Sequence, residues 1–261
     1  MGWVKARAAK IPWKMLAIVL FWLILWEVAD RLVNNRIVLV GPVAILESLG
    51  QLVQKLTFLL TCATSFFRIV LGFVLSFILS FVLALTSYKM RWFRDLLEPV
   101  MLLLRAVPMV AFVIMLLIWV GNQMLTIYLS FMIVMPLIYT NTLTGFERVD
   151  PHMLEMAGVF RMSRWKKFLY IYRPAFMPFV ISSCKISLGM SWKSGIMAEV
   201  IGTPKPSIGK EMFAAKSYLK TGDLFAWTVV IIILSAVFEK VFLTLIRLCN
   251  RPMGRFLGKA D

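Results

Sequence analysis

Apolar runs as long as a bilayer is thick constrain this chain more than any motif does. A helix rises about 1.5 Å per residue, so crossing the hydrocarbon core takes about 20 largely apolar residues. "MLAIVLFWLILWEVA", "IVLGFVLSFILSFVLALTS" and "FAWTVVIIILSAVFEKVFLTL" meet or approach that length. Lipid offers the backbone no hydrogen-bond partner, so such runs must satisfy themselves as helices. The chain is 61% hydrophobic, against roughly 45–50% in a soluble domain. The expected fold is all-α and polytopic, a single transmembrane domain over residues 1–261.

Six spans are expected: Lys14 to Ala29, Ile69 to Ser87, Pro108 to Val120, Leu125 to Tyr139, Ala175 to Ile201 and Phe225 to Leu245. The first follows a basic tail (residues 1–14) and looks like a signal peptide. Its core holds Trp13, Trp22 and Trp26, and no small-x-small cleavage site follows, so it reads as an uncleaved helix. Between the first two spans, Ile45, Leu49, Leu52, Val53 and Leu56 recur at helical spacing opposite Glu47, Gln51, Gln54 and Lys55. That predicts an interfacial amphipathic helix over residues 42–56.

The net charge is +16. In so lipid-compatible a chain it points to orientation by basic loops and away from nucleic-acid binding. With the N-terminus inside, the inner segments hold 18 Lys and Arg and the outer segments 8, while Lys185, Lys193 and Lys240 fall within spans. Both termini are therefore expected in the cytoplasm. Cys62, Cys184 and Cys249 share no metal-ligand spacing, and His152 is the sole histidine. No disulfide, metal site or catalytic set is predicted.

The longest break in the apolar pattern lies in residues 151–174, on the cytoplasmic side of that topology. Met153, Met156, Ala157 and Phe160 fall at i, i+3, i+4, i+7, one apolar helix face. Ser163 reads as the N-cap of a second piece, "RWKKFLYIY", which Pro174 should end. The spacing alone fits either a solvated basic loop or a protein-docking helix. Methionine, which adapts to a partner's groove, favours docking.

"EMAGVFRMSRWKKFLYIYRP" resembles the cytoplasmic motif of binding-protein-dependent ABC importer permeases. In the nitrate, sulfonate and taurine branch that motif typically reads "EAARTLGASRWQVFRRVILP". Glu155, Ala157, Ser163, Arg164, Trp165 and Pro174 are in register. "SFFRIVLGF", "LLEPVMLLLRAVP", "VDP", "AEVIG" and "IGKEMFAA" match the branch in order and spacing, so the likeness covers roughly residues 40–250. Two positions depart. The motif's glycine is Arg161, and the leucine before its proline is Arg173.

This resemblance implies an importer permease that works by alternating access in the cytoplasmic membrane of a prokaryote. Met153, Glu155, Met156, Ala157, Phe160, Arg161, Ser163, Arg164 and Trp165 would couple to a separate ABC ATPase. An extracytoplasmic binding protein would deliver the solute, and a second permease copy, as a homodimer, would complete the pathway. ATP and Mg would bind the ATPase; the chain has no Gly-rich Walker-type sequence and is expected to be non-catalytic, with no cofactor of its own. The branch suggests a small anion such as sulfonate, taurine or nitrate. The alternatives are the membrane component of an energy-coupling vitamin or heterocycle transporter, and an integral membrane enzyme.

The fifth span is the least lipid-like. Ser183, Ser187, Ser191 and Ser194 form one hydroxyl stripe, and Lys185, Lys193 and Glu199 are ionisable. Lys185, Ser187, Ser191, Lys193, Ser194 and Glu199 are candidates to line an anion pathway. Helix packing explains the serines equally well. Glu199 could instead cap or pair near the outer mouth. Arg68 and Arg105 are expected to be structural anchors.

Overall fold

The computed structural model describes residues 13–33, 35 and 37–249, with no account of the Cys249 side chain. Lys5, Arg7, Lys10, Arg36, Arg251, Arg255 and Lys259, counted in the charge bias above, lie outside the described residues. Within them the chain forms ten α-helices: α1 (Trp13–Val33), α2 (Pro42–Val53), α3 (Phe58–Lys89), α4 (Arg91–Ala106), α5 (Met109–Glu147), α6 (Pro151–Val159), α7 (Arg164–Lys167), α8 (Arg173–Gly202), α9 (Ile208–Ser217) and α10 (Thr221–Cys249). A π-helical turn, Phe168–Tyr172, joins α7 to α8. Helices α3, α5 and α10 are long and apolar enough to cross a membrane outright. The 21 residues of α1 and the 30 of α8 have the length, but Glu27, Asp30 and Arg31 interrupt α1, and serines, prolines and lysines make α8 less apolar.

Two compact units make up the chain. One comprises α1, α2 and residues 214–229. There Trp26 meets Phe225 edge-on at 6.1 Å, Phe58 stacks on Trp227, and the Thr221 hydroxyl donates to the Ile37 carbonyl at 3.0 Å. Pro42 opens α2 at a position where no amide donor is needed.

The other unit comprises residues 59–213 and those from 230 onward. Its most extensive packing is α8 along α5. Small residues allow that approach. A Cβ on Gly145 of α5 would sit 2.9 Å from the Phe176 Cα of α8, and one on Gly195 of α8 would sit 2.9 Å from Ser130 Oγ of α5. Close helix approach through small residues is how helices gain contact where lipid supplies no hydrophobic drive. Phe73, fully buried, is flanked edge-on by Phe238 and Phe242.

One expectation holds and two need correction. The expected third and fourth spans are the two pieces of α5, parted at Gly121, where φ is 72° and ψ is 176°. That left-handed backbone costs glycine nothing. The first piece, Met109–Val120, rises only about 18 Å, short of a bilayer's roughly 30 Å. It follows α4, a helix the hydropathy pattern did not reveal. Arg91, Arg94, Asp95, Glu98 and Arg105 break up the apolar run of α4, although Met101 is buried against Tyr139 and Leu143. Pro174, finally, does not end the second helical piece that begins after Ser163. The π turn absorbs it, with the Arg173 amide donating to the Phe168 carbonyl five residues back, and the helix runs on as α8.

Candidate functional site

The segment over residues 151–174 is a short helix, a tight turn and a helix start. Asp150 caps α6 by accepting from the His152 amide at 2.9 Å, and Pro151 occupies the first turn. The chain leaves α6 through Phe160 into Arg161, which is left-handed at φ 47°. The Arg161 amide donates to the Gly158 carbonyl and the Met162 amide to the Ala157 carbonyl, both at 3.0 Å. This pair of bonds is the Schellman closure, which usually places glycine where Arg161 stands. The glycine of the related motif thus has a backbone reason, and the turn survives its loss. Ser163 then caps α7, accepting from the Lys166 amide at 3.4 Å.

The apolar face divides. Ala157 is fully buried, and Leu154 is half-buried beside it. Met153 and Met156 are about half exposed, and Phe160 (73%), Trp165 (69%) and Val159 (81%) stand out in solvent. Glu155, Arg161, Ser163 and Arg164 are exposed around them. Among the predicted coupling residues, then, Ala157 braces the helix from within, and the rest form one uncovered surface.

The fifth span also divides. Ser183, Ser187, Ser191 and Ser194 are all buried within the chain. Ser191 Oγ donates to the Leu188 carbonyl at 2.8 Å, and Ser130 of α5 donates to the Ser191 carbonyl at 3.2 Å. These hydroxyls serve the α5–α8 packing. Lys185 and Lys193 lie on the other side, exposed together with Ile186. The structure therefore separates the lysines from the serines, so the two sets do not form a single lining.

Glu199, near the C-terminal end of α8, is fully buried. Its Oε2 accepts from Ser65 Oγ at 2.7 Å and from the Gly209 amide at 3.1 Å. Ser65 Oγ in turn accepts from the Ile208 amide at 2.8 Å. A carboxylate and a hydroxyl thus hold the first amides of α9, where the helix dipole is positive. A Cβ on Gly209 would sit 2.5 Å from the Glu199 carbonyl carbon and the Val200 nitrogen, so only glycine lets α9 approach this closely. Arg68 secures the adjoining loop, donating to the Pro206 carbonyl at 3.1 Å and to Gln123 Oε1 at 2.6 Å. Arg105 similarly donates to the Pro136 carbonyl at 2.8 Å and to Thr140 Oγ1. The roles of Ser65, Gly209 and Gln123 were missed in the sequence, where the "SFFRIVLGF" and "IGKEMFAA" strings marked the neighbourhoods of Ser65 and Gly209 and nothing marked that of Gln123.

These features can grip a partner surface, fix helix ends and present cations; they do not assemble an acid, a base and a nucleophile. Among the described residues, no three His, Cys, Asp or Glu converge as metal ligands. Residues 69–255 match the family described as binding-protein-dependent transport system inner membrane component. A putative aliphatic sulfonates transport permease protein of Bacillus subtilis is 26% identical over 97% of this chain and 87% of its own length. Its Escherichia coli namesake is 31% identical over 75% of this chain and 71% of its own. A taurine transport system permease protein of Escherichia coli is 24% identical over 91% and 87%. Among solved structures, a chain of one described as an amino acid ABC transporter with histidines superposes with a TM-score of 0.53. It covers 81% of this chain and 98% of that one at 15% identity, a likeness of fold alone. With the family match extending over most of its length, the chain belongs to the inner membrane components of binding-protein-dependent transport systems and is a multi-helix transport permease.

Proposed function

We propose that this permease admits a small anion bearing a sulfonate, carboxylate-like or nitrate-like head, driven by a separate ATPase. The carrying observation is the exposed pair Lys185 and Lys193, eight residues apart on a membrane helix whose serines are already used in packing. A cation in a span is costly and is normally retained facing a cavity or partner. Relatives named for aliphatic sulfonates, taurine, nitrate and bicarbonate transport all suggest small anionic heads. On this reading, Lys185 and Lys193 face a pathway completed by a second copy of the chain. Glu199 and the buried Ser187, Ser191 and Ser194 hold that wall in place rather than touch the solute.

The exposed set Met153, Met156, Phe160 and Trp165, ringed by Glu155, Arg161, Ser163 and Arg164, is assigned to a groove on the ATPase subunit, with Ala157 as its internal brace. ATP and Mg belong to that subunit, and its closure moves α6, switching the permease between inward and outward access. Both termini and residues 151–174 are then cytoplasmic, residues 42–56 lie in the interface, and an extracytoplasmic binding protein delivers the solute. One experiment tests the substrate class: ligand-induced thermal stabilisation of the cognate binding protein across sulfonates, nitrate, bicarbonate and organic cations, followed by uptake into proteoliposomes. The Lys193→Met permease should assemble normally and transport the hit at least about tenfold more slowly. Stabilisation by a cation alone, or unchanged uptake in the variant, would overturn the assignment.

A further inference from the structure

Two cavities flank the start of the cytoplasmic segment, and their charge is balanced differently. One, of about 190 Å³, is lined by Arg94 and Arg105 together with Glu98 and Glu147, and Arg94 is ion-paired with Glu147. The other, of about 470 Å³, is lined by Lys89, Arg164 and Lys167 and by no carboxylate. None of these three cations forms an ion pair among the described residues. The volume falls within the range of small-molecule sites.

The walls of the larger cavity are aromatic. Tyr88 is stacked on Phe146 at 5.5 Å and meets Tyr172 edge-on at 6.1 Å, and Trp165 stacks behind Phe168 at 5.9 Å. Tyr88, Phe146, Phe168 and Tyr172 all face the space. Helix geometry explains the convergence. Leu85, Tyr88 and Lys89 fall on one face at the end of α3, and Arg164, Lys167 and Phe168 on one face of the piece opposite. Three like charges brought to one opening repel one another, and among the described residues no carboxylate lines the opening or pairs with them. An anion would offset that repulsion.

We propose that this cavity binds a phosphate-class oxoanion, as carried by an anionic phospholipid headgroup or by free phosphate, against Lys89, Arg164 and Lys167. The aromatic wall receives the attached apolar or ester portion, and Tyr88 and Tyr172 bring hydroxyls to a site at the end of a membrane helix. Basic pockets between membrane helices recognise lipid headgroups by this chemistry. Occupancy would tie the end of α3 to the helix that carries Trp165, so the bound anion would stiffen the coupling segment from behind and leave its outer surface free.

The test uses the full-length chain in detergent. Native mass spectrometry measures retention of dioleoyl phosphatidylglycerol against dioleoyl phosphatidylcholine. In a parallel arm, inorganic phosphate is compared with chloride at equal ionic strength by thermal shift. We expect at least about a tenfold preference for phosphatidylglycerol, or a phosphate-specific stabilisation, lost in Lys89→Gln/Lys167→Gln and kept in Lys89→Arg/Lys167→Arg. Preference in the lipid arm identifies a headgroup site; preference confined to the phosphate arm identifies a soluble ligand. The exposed Lys166→Gln variant should match the wild type. If the double variant does not fold, Lys89→Gln and Lys167→Gln singly should each lose part of the preference. No preference in either arm, or a preference equal in wild type and glutamine variants, overturns the proposal.

Discussion

At the Glu199 end of α8, polar groups are buried and bonded to one another; at the other end, apolar groups stand in solvent. Glu199, Ser65 and the amides of Ile208 and Gly209 close a network inside the chain. Phe160, Val159 and Trp165 expose surface that a soluble chain would ordinarily cover. The first region closes within one molecule, save that the second carboxylate oxygen of Glu199, Oε1, is buried without a hydrogen-bond partner there. The second is left open in it. Stability should therefore be concentrated at the Glu199 end, and the consequences of substitution at the other end should show in transport instead.

The largest expected effect is at the closed end. Glu199→Ala leaves the Ser65 hydroxyl and the Gly209 amide without their acceptor in a buried site, costing about 3 kcal/mol. Thermal unfolding of the detergent-solubilised chain reads this directly, and a loss below about 1 kcal/mol would dissolve the contrast. Gly209→Ala forces a methyl against the Glu199 and Val200 backbone and should cost about 2 kcal/mol by the same assay. Because the two sites touch, their double variant should lose less than the sum. Arg68→Met removes the bonds to Pro206 and Gln123, at about 1 kcal/mol.

At the open end, Phe160→Ala should move the melting midpoint by the equivalent of less than about 0.5 kcal/mol, as exposed positions do. ATP-driven uptake should nevertheless fall several-fold. If both quantities stay put, this end is an ordinary solvated loop. One further effect has the opposite sign. A left-handed residue with a side chain costs about 1–2 kcal/mol, and glycine returns about 0.5–1 kcal/mol of that as chain entropy. Arg161→Gly should therefore stabilise the chain by about 0.5–1 kcal/mol, and a destabilised variant would show that the guanidinium makes a contact outweighing the strain.

What the sequence made legible follows its periodicity. The long apolar runs give α3, the second piece of α5 and α10, and Ser163 announces a cap that the structure contains. Helix α4 escaped because Arg91, Arg94, Asp95 and Glu98 dilute its apolar residues below a spanning signal, while the helix itself needs no such run. The serine stripe of α8 was visible, but its direction was not. Spacing shows that four hydroxyls share a face; only the packing against Ser130 shows that the face points inward. Likewise, Met153, Met156, Ala157 and Phe160 are equivalent in a helical projection, and burial of Ala157 alone distinguishes support from surface. The Glu199 network was beyond reach for a different reason. Ser65 lies 134 residues from Glu199, and nothing local in the sequence couples them.

The π turn beneath Trp165 has a mechanical consequence. From Phe168 to Pro178 the backbone ladder is thinned twice over: its bonds lengthen to five-residue loops, and Pro174 and Pro178 contribute no amide. Flexural stiffness of a helix resides in that ladder, so bending should concentrate in these about three turns rather than in the stretch from Ser183 to Glu199, where α8 packs along α5. The junction behaves as a compliant neck between a rigid mast and the small helix at its foot, yielding to a push from the side while keeping the mast upright.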